Sequence, residues 1–402
     1  MKVLILTHRI PFPQNGGYPI VVGNTIRGLV DAGHEVSLVS LNTEKRYEDA
    51  LPPNDELLQR IQYRSYDIDA SVSLMDAMLN LFSHDSANIN RYYDPAFERL
   101  LIREVRNTAY DIIQFEGLFV APYLEEVRKH TKAKLVYRAH NIEHQVWQRL
   151  AHQKSDPLKK LFLKLIAARV KRYELQHMNS FDAMSVFTEQ DRLTMMQYGA
   201  KGKIEVIPVS INMSKYRPDP HKTEFPSLFF LGSLNWMPNR EGIEWFLQSF
   251  HQDFVDGNLR CRFYVAGNDI PEQFDEYEAL GKIFIQGEVD DALEFVNSKS
   301  IMIVPLLSGG GMRVKIVEGM AMQKCIISTT LGAEGIAYTK GQDILIADTR
   351  EEFLRAINRC VSDEEYCKRI GRSARKLVEQ QYDIAAINKH LVKFYNDVLS
   401  AS

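Results

Sequence analysis

The residues best suited to chemistry lie in one run: Pro305-Leu-Leu-Ser308-Gly309-Gly310-Gly311-Met312-Arg313-Val314-Lys315-Ile316-Val317-Glu318-Gly319-Met320-Ala321. Three glycines follow the apolar strand Ile301–Val304 and open a helical pattern. Glycine permits positive φ and a close approach of backbone to ligand. A helix start offers unpaired N–H groups and the positive end of its dipole. Together, Gly309, Gly310, Gly311 and Met312 predict an anion site at a helix tip, suited to a phosphate or diphosphate. Arg313 and Lys315 add two cations in the first turn, where the dipole disfavours them unless an anion is bound. Each charge-assisted hydrogen bond to that anion is worth about 1.5–3 kcal/mol. Glu318 stands three residues beyond Lys315 on the same helix face and is placed to accept hydrogen bonds from ribose hydroxyls. The plainer reading makes Lys315 and Glu318 a surface pair and the glycines a tight turn.

A second run, Arg138-Ala-His140-Asn141-Ile-Glu143-His144, follows the strand Lys134–Tyr137. His140, at a strand's carboxyl end, is well placed to hydrogen-bond a polar ligand. His144 is expected on a helix surface. The same residues fit H-x-x-E-H, a zinc-peptidase pattern with Glu174 as third ligand, but that chemistry needs both histidines on one helix. Asp67-Ile-Asp69 is a short acidic pair, and Asp69 or Ser71 reads as a cap for a helical run from Ser71 to Phe82. No G-x-G-x-x-G follows a strand and no G-x-S-x-G elbow occurs, which argues against dinucleotide-dependent oxidoreductases and serine hydrolases.

The elements that must position these residues alternate strand and helix. Strand-like runs are Lys2–Thr7, Glu35–Ser40, Asp111–Phe115, Lys134–Tyr137, Asp182–Val186 and Ile204–Ile207, then Leu228–Leu231, Arg262–Ala266, Ile283–Ile285, Ile301–Val304, Cys325–Ser328 and Ile344–Ile346. This order predicts an α/β fold of two doubly wound, Rossmann-like domains with parallel sheets. The expected division is 1–208 for the first domain, a proline-rich linker at 209–226, a second domain at 227–380, and a terminal helix at 381–402 packing back onto the first. Ligands of such sheets bind beyond the carboxyl ends of the strands. The chain has 402 residues, 45% of them apolar and 25% charged, which suits globular domains and excludes extensive disorder. A net charge of −3 leaves no global field for nucleic acid. Four cysteines without a C-x-x-C pair read as reduced thiols, and the short apolar run Val3–Leu6 is too brief for a signal peptide, so a cytoplasmic protein is expected. Residues 154–178 carry seven Lys and Arg against two acidic residues, with Leu158, Leu161, Phe162, Leu165, Ile166 and Val170 on one helical stripe. That stripe reads first as core. The rival reading is peripheral contact with an anionic inner membrane face. The apolar run Leu74–Phe82 likewise reads as core, or as the lining of an acceptor site.

The stretch Met312–Ser328, followed by Gly332-Ala-Glu-Gly335, resembles the donor-binding signature of the large retaining glycosyltransferase family 4 type, of GT-B fold. The Gly16-Gly17 loop, the helix ending in Gly33-His34-Glu35-Val36, and Phe230-Leu-Gly232-Ser233 match its other landmarks in order. The resemblance implies a hexosyltransferase with two domains facing a cleft, which uses a nucleotide-sugar co-substrate, no cofactor and no metal, and keeps the anomeric configuration. It implies that Glu318 contacts ribose and that Arg313 or Lys315 holds the diphosphate. Gly16, Gly17, Gly232, Ser233, Asn235 and Asn239 would border the donor, although Asn239 also suits a cap for a helix starting near Arg240. His140 would touch the donor sugar or the reacting phosphate, while Asn141 and Glu143 shape the site and Glu143 orients Arg138 or acts near the acceptor. A glycan or lipid-linked glycan of the cell envelope is the implied acceptor. One departure is Gly310, which stands where the family usually carries a glutamate. That departure motivates the alternative of a non-catalytic nucleotide-sugar or glycan binding subunit.

Overall fold

The computed structural model describes residues 1–14, 16–43, 56–70, 86–153 and 156–401. The chain divides into two compact units, Met1–Ser210 with Ala385–Ser402, and Ile211–Ile384. The stretch at 209–226 is therefore shared: its residues up to Ser210 belong to the first unit and those from Ile211 to the second. The helical run from Ser71 to Phe82, including the Leu74–Phe82 stretch, lies outside the described residues, as does Lys154.

In the first unit the strands are β1 (Lys2–Thr7), β2 (Glu35–Thr43), β3 (Gln62–Ile68), β4 (Ile112–Glu116), β5 (Lys134–Ala139), β6 (Ala183–Val186) and β7 (Lys203–Val206). They form a parallel sheet in the order β3-β2-β1-β4-β5-β6-β7. The inner strands β1, β4, β5 and β6 are apolar runs buried along nearly their whole length, as a sheet covered on both faces requires. The sequence reading has no strand between Ser40 and Asp111, yet β3 lies there. It is an edge strand with only Ile68 buried, so its polar composition hid it. The terminal helix Ile384–Ser400 contributes Ile387, Leu391, Phe394, Tyr395 and Val398 to the core beneath Val3, Ile5 and Ile112.

The helix Pro157–His177 starts well, with Asp156 accepting from the backbone of Leu158 and Lys159. Its apolar stripe does not behave as a single core face. Leu158, Leu161, Phe162 and Leu165 are 78%, 56%, 40% and 40% exposed, and burial begins only at Ala167 and Val170. No described helix is long and apolar enough to cross a membrane.

The second unit holds β8 (Ser227–Leu231), β9 (Arg262–Ala266), β10 (Ile283–Gly287), β11 (Ile301–Val304), β12 (Cys325–Ser328) and β13 (Leu345–Ile346). Its parallel order is β10-β9-β8-β11-β12-β13. In both units the strand order reverses beside the first strand, at β1/β4 and at β8/β11. Those are the topological switch points where open α/β sheets bind ligands.

Candidate active site

The loop after β11 and the helix Val314–Ala321 stand at the switch point of the second unit. The helix begins at Val314, not at the glycines: Gly309 and Gly311 adopt φ of 103° and 73°, and Arg313 is the N-cap residue. Lys315 thus lies in the first turn, while Arg313 lies outside it. The Arg313 guanidinium folds back to the carbonyls of Gly310 and Gly311 and stacks 5.3 Å from the Trp236 ring. Arg313 is buried and braces the glycine loop, Met312 is buried beside it, and Gly310 is half-buried.

Lys315 extends towards the end of β8. Its Nζ donates to Asn239 Oδ1 at 2.8 Å and sits 4.2 Å from the Phe230 ring centroid. Asn239 Nδ2 donates to the Ser233 carbonyl at 2.8 Å. The Lys315 ammonium approaches Gly232 so closely that a Cβ there would stand 2.6 Å from Nζ. Among the described residues Lys315 has no carboxylate within ion-pair distance. Burial, with the Arg313 charge second, pushes its pKa down to about 7, against an opposing pull from Glu318. Glu318 accepts from the Tyr216 hydroxyl at 2.7 Å. Burial raises its carboxyl, although the Tyr216 hydrogen bond and the Lys315 charge act the other way. Lys315 and Glu318 therefore take different partners and are not the surface pair of the plainer reading.

Asn239 does not cap its helix. That helix is Met237–Val255 with Trp236 as N-cap, so Asn239 falls inside the first turn, buried and holding Lys315. Ser233 Oγ donates to Asp269 at 3.2 Å and accepts from the exposed Asn235 N–H at 3.3 Å. Beside them opens a cavity of about 390 Å³ lined by Leu234, Asn235, Met237, Arg240, Asp269 and Pro271.

The first unit gathers a second polar group at its own switch point. His140 Nε2 lies 2.5 Å from Glu116 Oε2, at the end of β4. The other Glu116 oxygen accepts from Gln114 at 2.5 Å, and Gln114 in turn accepts from the Tyr395 hydroxyl. Burial would raise the Glu116 carboxyl, but the His140 hydrogen bond and the Arg138 charge outweigh it and hold it below its ordinary value. An ionised Glu116 fixes Nε2 of His140 as a donor and leaves Nδ1 for a ligand. The His140 ring packs on Tyr18 and Phe187, with centroids 4.7 and 5.1 Å away, and Tyr18 also meets His8 at 4.7 Å. Tyr18 belongs to the helix Gly17–Asp31, whose N-cap Gly16 provides no side-chain cap. Tyr18, next in the chain to Gly17, is thus what meets His140.

Arg138 is buried, donates to Thr25 Oγ1 at 2.6 Å and faces Phe187. Glu143 does not orient it. The Glu143 carboxylate accepts from Asn141 at 3.2 Å, and burial, with Glu174 second, raises it to about 7. His144 is fully buried, not on a helix surface, and bonds Glu174 at 2.6 Å. The helix starts at Glu143, so His140 precedes it and turns to Glu116 while His144 turns to Glu174. The H-x-x-E-H residues form no shared ligand group among the described residues. Asp67 lies on β3 and accepts from Asn42 at 2.8 Å. Sequence reasoning passed over His8, Tyr18, Glu116 and Tyr216. The first three follow or end strands or open a helix, so position alone could have flagged them.

Residues 15–215 match the family described as Glycosyltransferase Family 4, and residues 225–363 match Glycosyl transferases group 1. An uncharacterized 44.6 kDa protein in the cps region of Klebsiella pneumoniae is 22% identical, spanning 98% of this chain and 99% of its own. Among solved structures, sucrose-phosphate synthase from Thermosynechococcus elongatus is similar with a TM-score of 0.74 at 14% identity, over 100% of both chains. HepE of Anabaena in complex with UDP-glucose is similar with a TM-score of 0.67 at 14% identity, over 99% of this chain and 100% of that one. At such identities the structural likenesses establish the fold.

Proposed function

The chain belongs to Glycosyltransferase Family 4, within the GT-B glycosyltransferases, and on that premise we propose that it moves a hexosyl-type group, with retention, to a glycan or lipid-linked glycan hydroxyl. The transfer of sugar from a nucleotide-sugar to an acceptor is the activity common to these proteins. The observation that carries the donor reading is Lys315: a largely desolvated ammonium with no carboxylate partner among the described residues, beside a helix start, at a topological switch point. A diphosphate supplies the missing anion. Glu318 is a ribose acceptor, and the 390 Å³ cavity is the base pocket. Uridine diphosphate sugars are the first donors to test, since UDP-glucose is the ligand named for the Anabaena structure.

In the reaction the anomeric carbon–oxygen bond to the diphosphate breaks and a bond to the acceptor oxygen forms. The acceptor proton leaves with the diphosphate. Negative charge grows on the leaving group, and Lys315 with the first-turn N–H groups stabilises it in place of a metal. His140, oriented by Glu116, presents Nδ1 to the acceptor. The exposed Leu158–Leu165 face, flanked by Lys159, Lys160 and Lys164, supports peripheral contact with an anionic cytoplasmic membrane face that carries a lipid-linked acceptor. Product release from a panel of uridine, guanosine and adenosine diphosphate sugars tests the proposal. Lys315→Ala should cut turnover at least tenfold and leave the fold intact. Donor binding without turnover at excess acceptor would instead favour a binding subunit.

A further inference from the structure

Three of the four cysteines meet on the far side of the second unit's chemistry. Cys325 opens β12, Cys360 lies in the helix Arg350–Ser362, and Cys367 lies in the helix Glu364–Gln381. Asp363 caps the second of these helices, so the six residues between Cys360 and Cys367 span the break and turn both thiols towards β12. All three sulfurs lie within 4.8 Å of one another, with Cys325 Sγ and Cys360 Sγ 3.6 Å apart. The side chains are 1%, 0% and 4% exposed, and Ile327, Phe353, Ile357 and Ile370 belong to the same core cluster.

We propose that Cys325, Cys360 and Cys367 form a three-sulfur site for a soft, thiophilic divalent metal ion. Sulfurs about 2.3 Å from a central ion stand roughly 4 Å apart in a trigonal arrangement, and one spacing of 3.6 Å with none above 4.8 Å admits that value. No histidine, aspartate or glutamate joins the group among the described residues. A structural zinc site almost always has four ligands, so the arrangement favours an ion content with three sulfurs. Binding converts thiols to thiolates: S–H protons pass to solvent, three metal–sulfur bonds form, and nothing is oxidised or reduced. The product of a divalent ion and three thiolates carries one negative charge. Lys324, adjacent to Cys325 and itself buried, donates its ammonium to the Asn297 carbonyl at 3.1 Å and lies near enough to Cys367 to act on it electrostatically.

The test uses the full chain, reduced and free of oxygen, titrated with cadmium(II). Thiolate-to-metal absorbance should saturate at one ion per chain, protons should be released, and the ion should survive gel filtration. X-ray absorption on the loaded wild-type protein should count three sulfur neighbours. Cys367→Ser should weaken retention at least tenfold with unchanged circular dichroism, and Cys261→Ser should retain the ion as wild type does. Zinc(II) should bind at least tenfold more weakly than cadmium(II). To allow for slow entry into a buried site, the titration is repeated on protein refolded with cadmium(II). Retention below half an ion per chain in both preparations, or fewer than three sulfur neighbours, overturns the proposal. Equal retention by Cys367→Ser, or zinc(II) preferred over cadmium(II), overturns it too.

Discussion

Replacing Lys315 by methionine should make the free protein more stable while removing donor binding. An ordinary lysine titrates near 10.5, and burial brings Lys315 down to about 7. At about 1.36 kcal/mol per pH unit, that difference corresponds to ~4 kcal/mol held against the charged form at neutral pH. Methionine is apolar and of similar length, so it escapes this term. It also leaves buried Asn239 Oδ1 without its donor, which costs about 1–3 kcal/mol. The net gain at pH 7 is therefore on the order of 1–3 kcal/mol. The sign with pH follows from linkage. The folded pKa lies below the unfolded one, so the unfolded chain binds more protons between pH 7 and 10.5. Wild-type stability on this account is full above 10.5 and falls as pH drops towards 7. Methionine removes that slope.

Denaturant unfolding of both proteins at several pH values from 7 to 10 isolates Lys315, because all other titrating groups are common to the pair. The stability difference should shrink by about 1.36 kcal/mol for each unit of rising pH, whatever the constant contribution of Asn239. Calorimetry supplies the matching observation: a bound diphosphate raises the Lys315 pKa, so wild type takes up protons on binding at pH 8 and Lys315→Met takes up none. A stability difference that stays flat from pH 7 to 10 would refute the electrostatic account of this side chain.

Gly232→Ala places a methyl 2.6 Å from Lys315 Nζ in backbone with φ of 157°; it should lose about 1–3 kcal/mol of stability and at least tenfold in donor affinity by calorimetry, and unchanged affinity would argue against Lys315 as the diphosphate ligand. Glu143, raised to about 7 by burial and by Glu174, contributes stability below its unfolded value near 4.5 that is lost as pH rises through 7. Glu143→Gln should therefore gain on the order of 1–3 kcal/mol at pH 8 and little at pH 4.5, as denaturation at the two pH values will report. Serine at Leu158, Leu161, Phe162 and Leu165 should abolish co-sedimentation with vesicles of anionic lipid and leave circular dichroism unchanged. Sedimentation equal to wild type would remove the membrane reading.

The alternation of strand and helix was legible in the sequence because buried parallel strands are short apolar runs, and these cannot be mistaken once turns bound them. The edge strand β3 carries no such signal, since only Ile68 of its seven residues is buried. The glycine loop and Lys315 were visible for a related reason: glycines after a strand have few purposes. The start of the helix was not. Arg313 closes onto the Gly310 and Gly311 carbonyls, and that side-chain brace delays the first helical residue to Val314. Partnerships were the least legible part. Glu116 and His140 are 24 residues apart, and Tyr216 and Glu318 are 102 apart. No local pattern joins them, because the sheet order that does so is a long-range property. The same distance hid the feature on which the proposed donor site rests. A lysine three residues before a glutamate looks neutralised on paper. In the fold, Tyr216 occupies the glutamate and Asn239 occupies the lysine. The ammonium therefore has no carboxylate within ion-pair distance among the described residues, burial lowers its pKa to about 7, and on the proposed reading a bound diphosphate restores its charge.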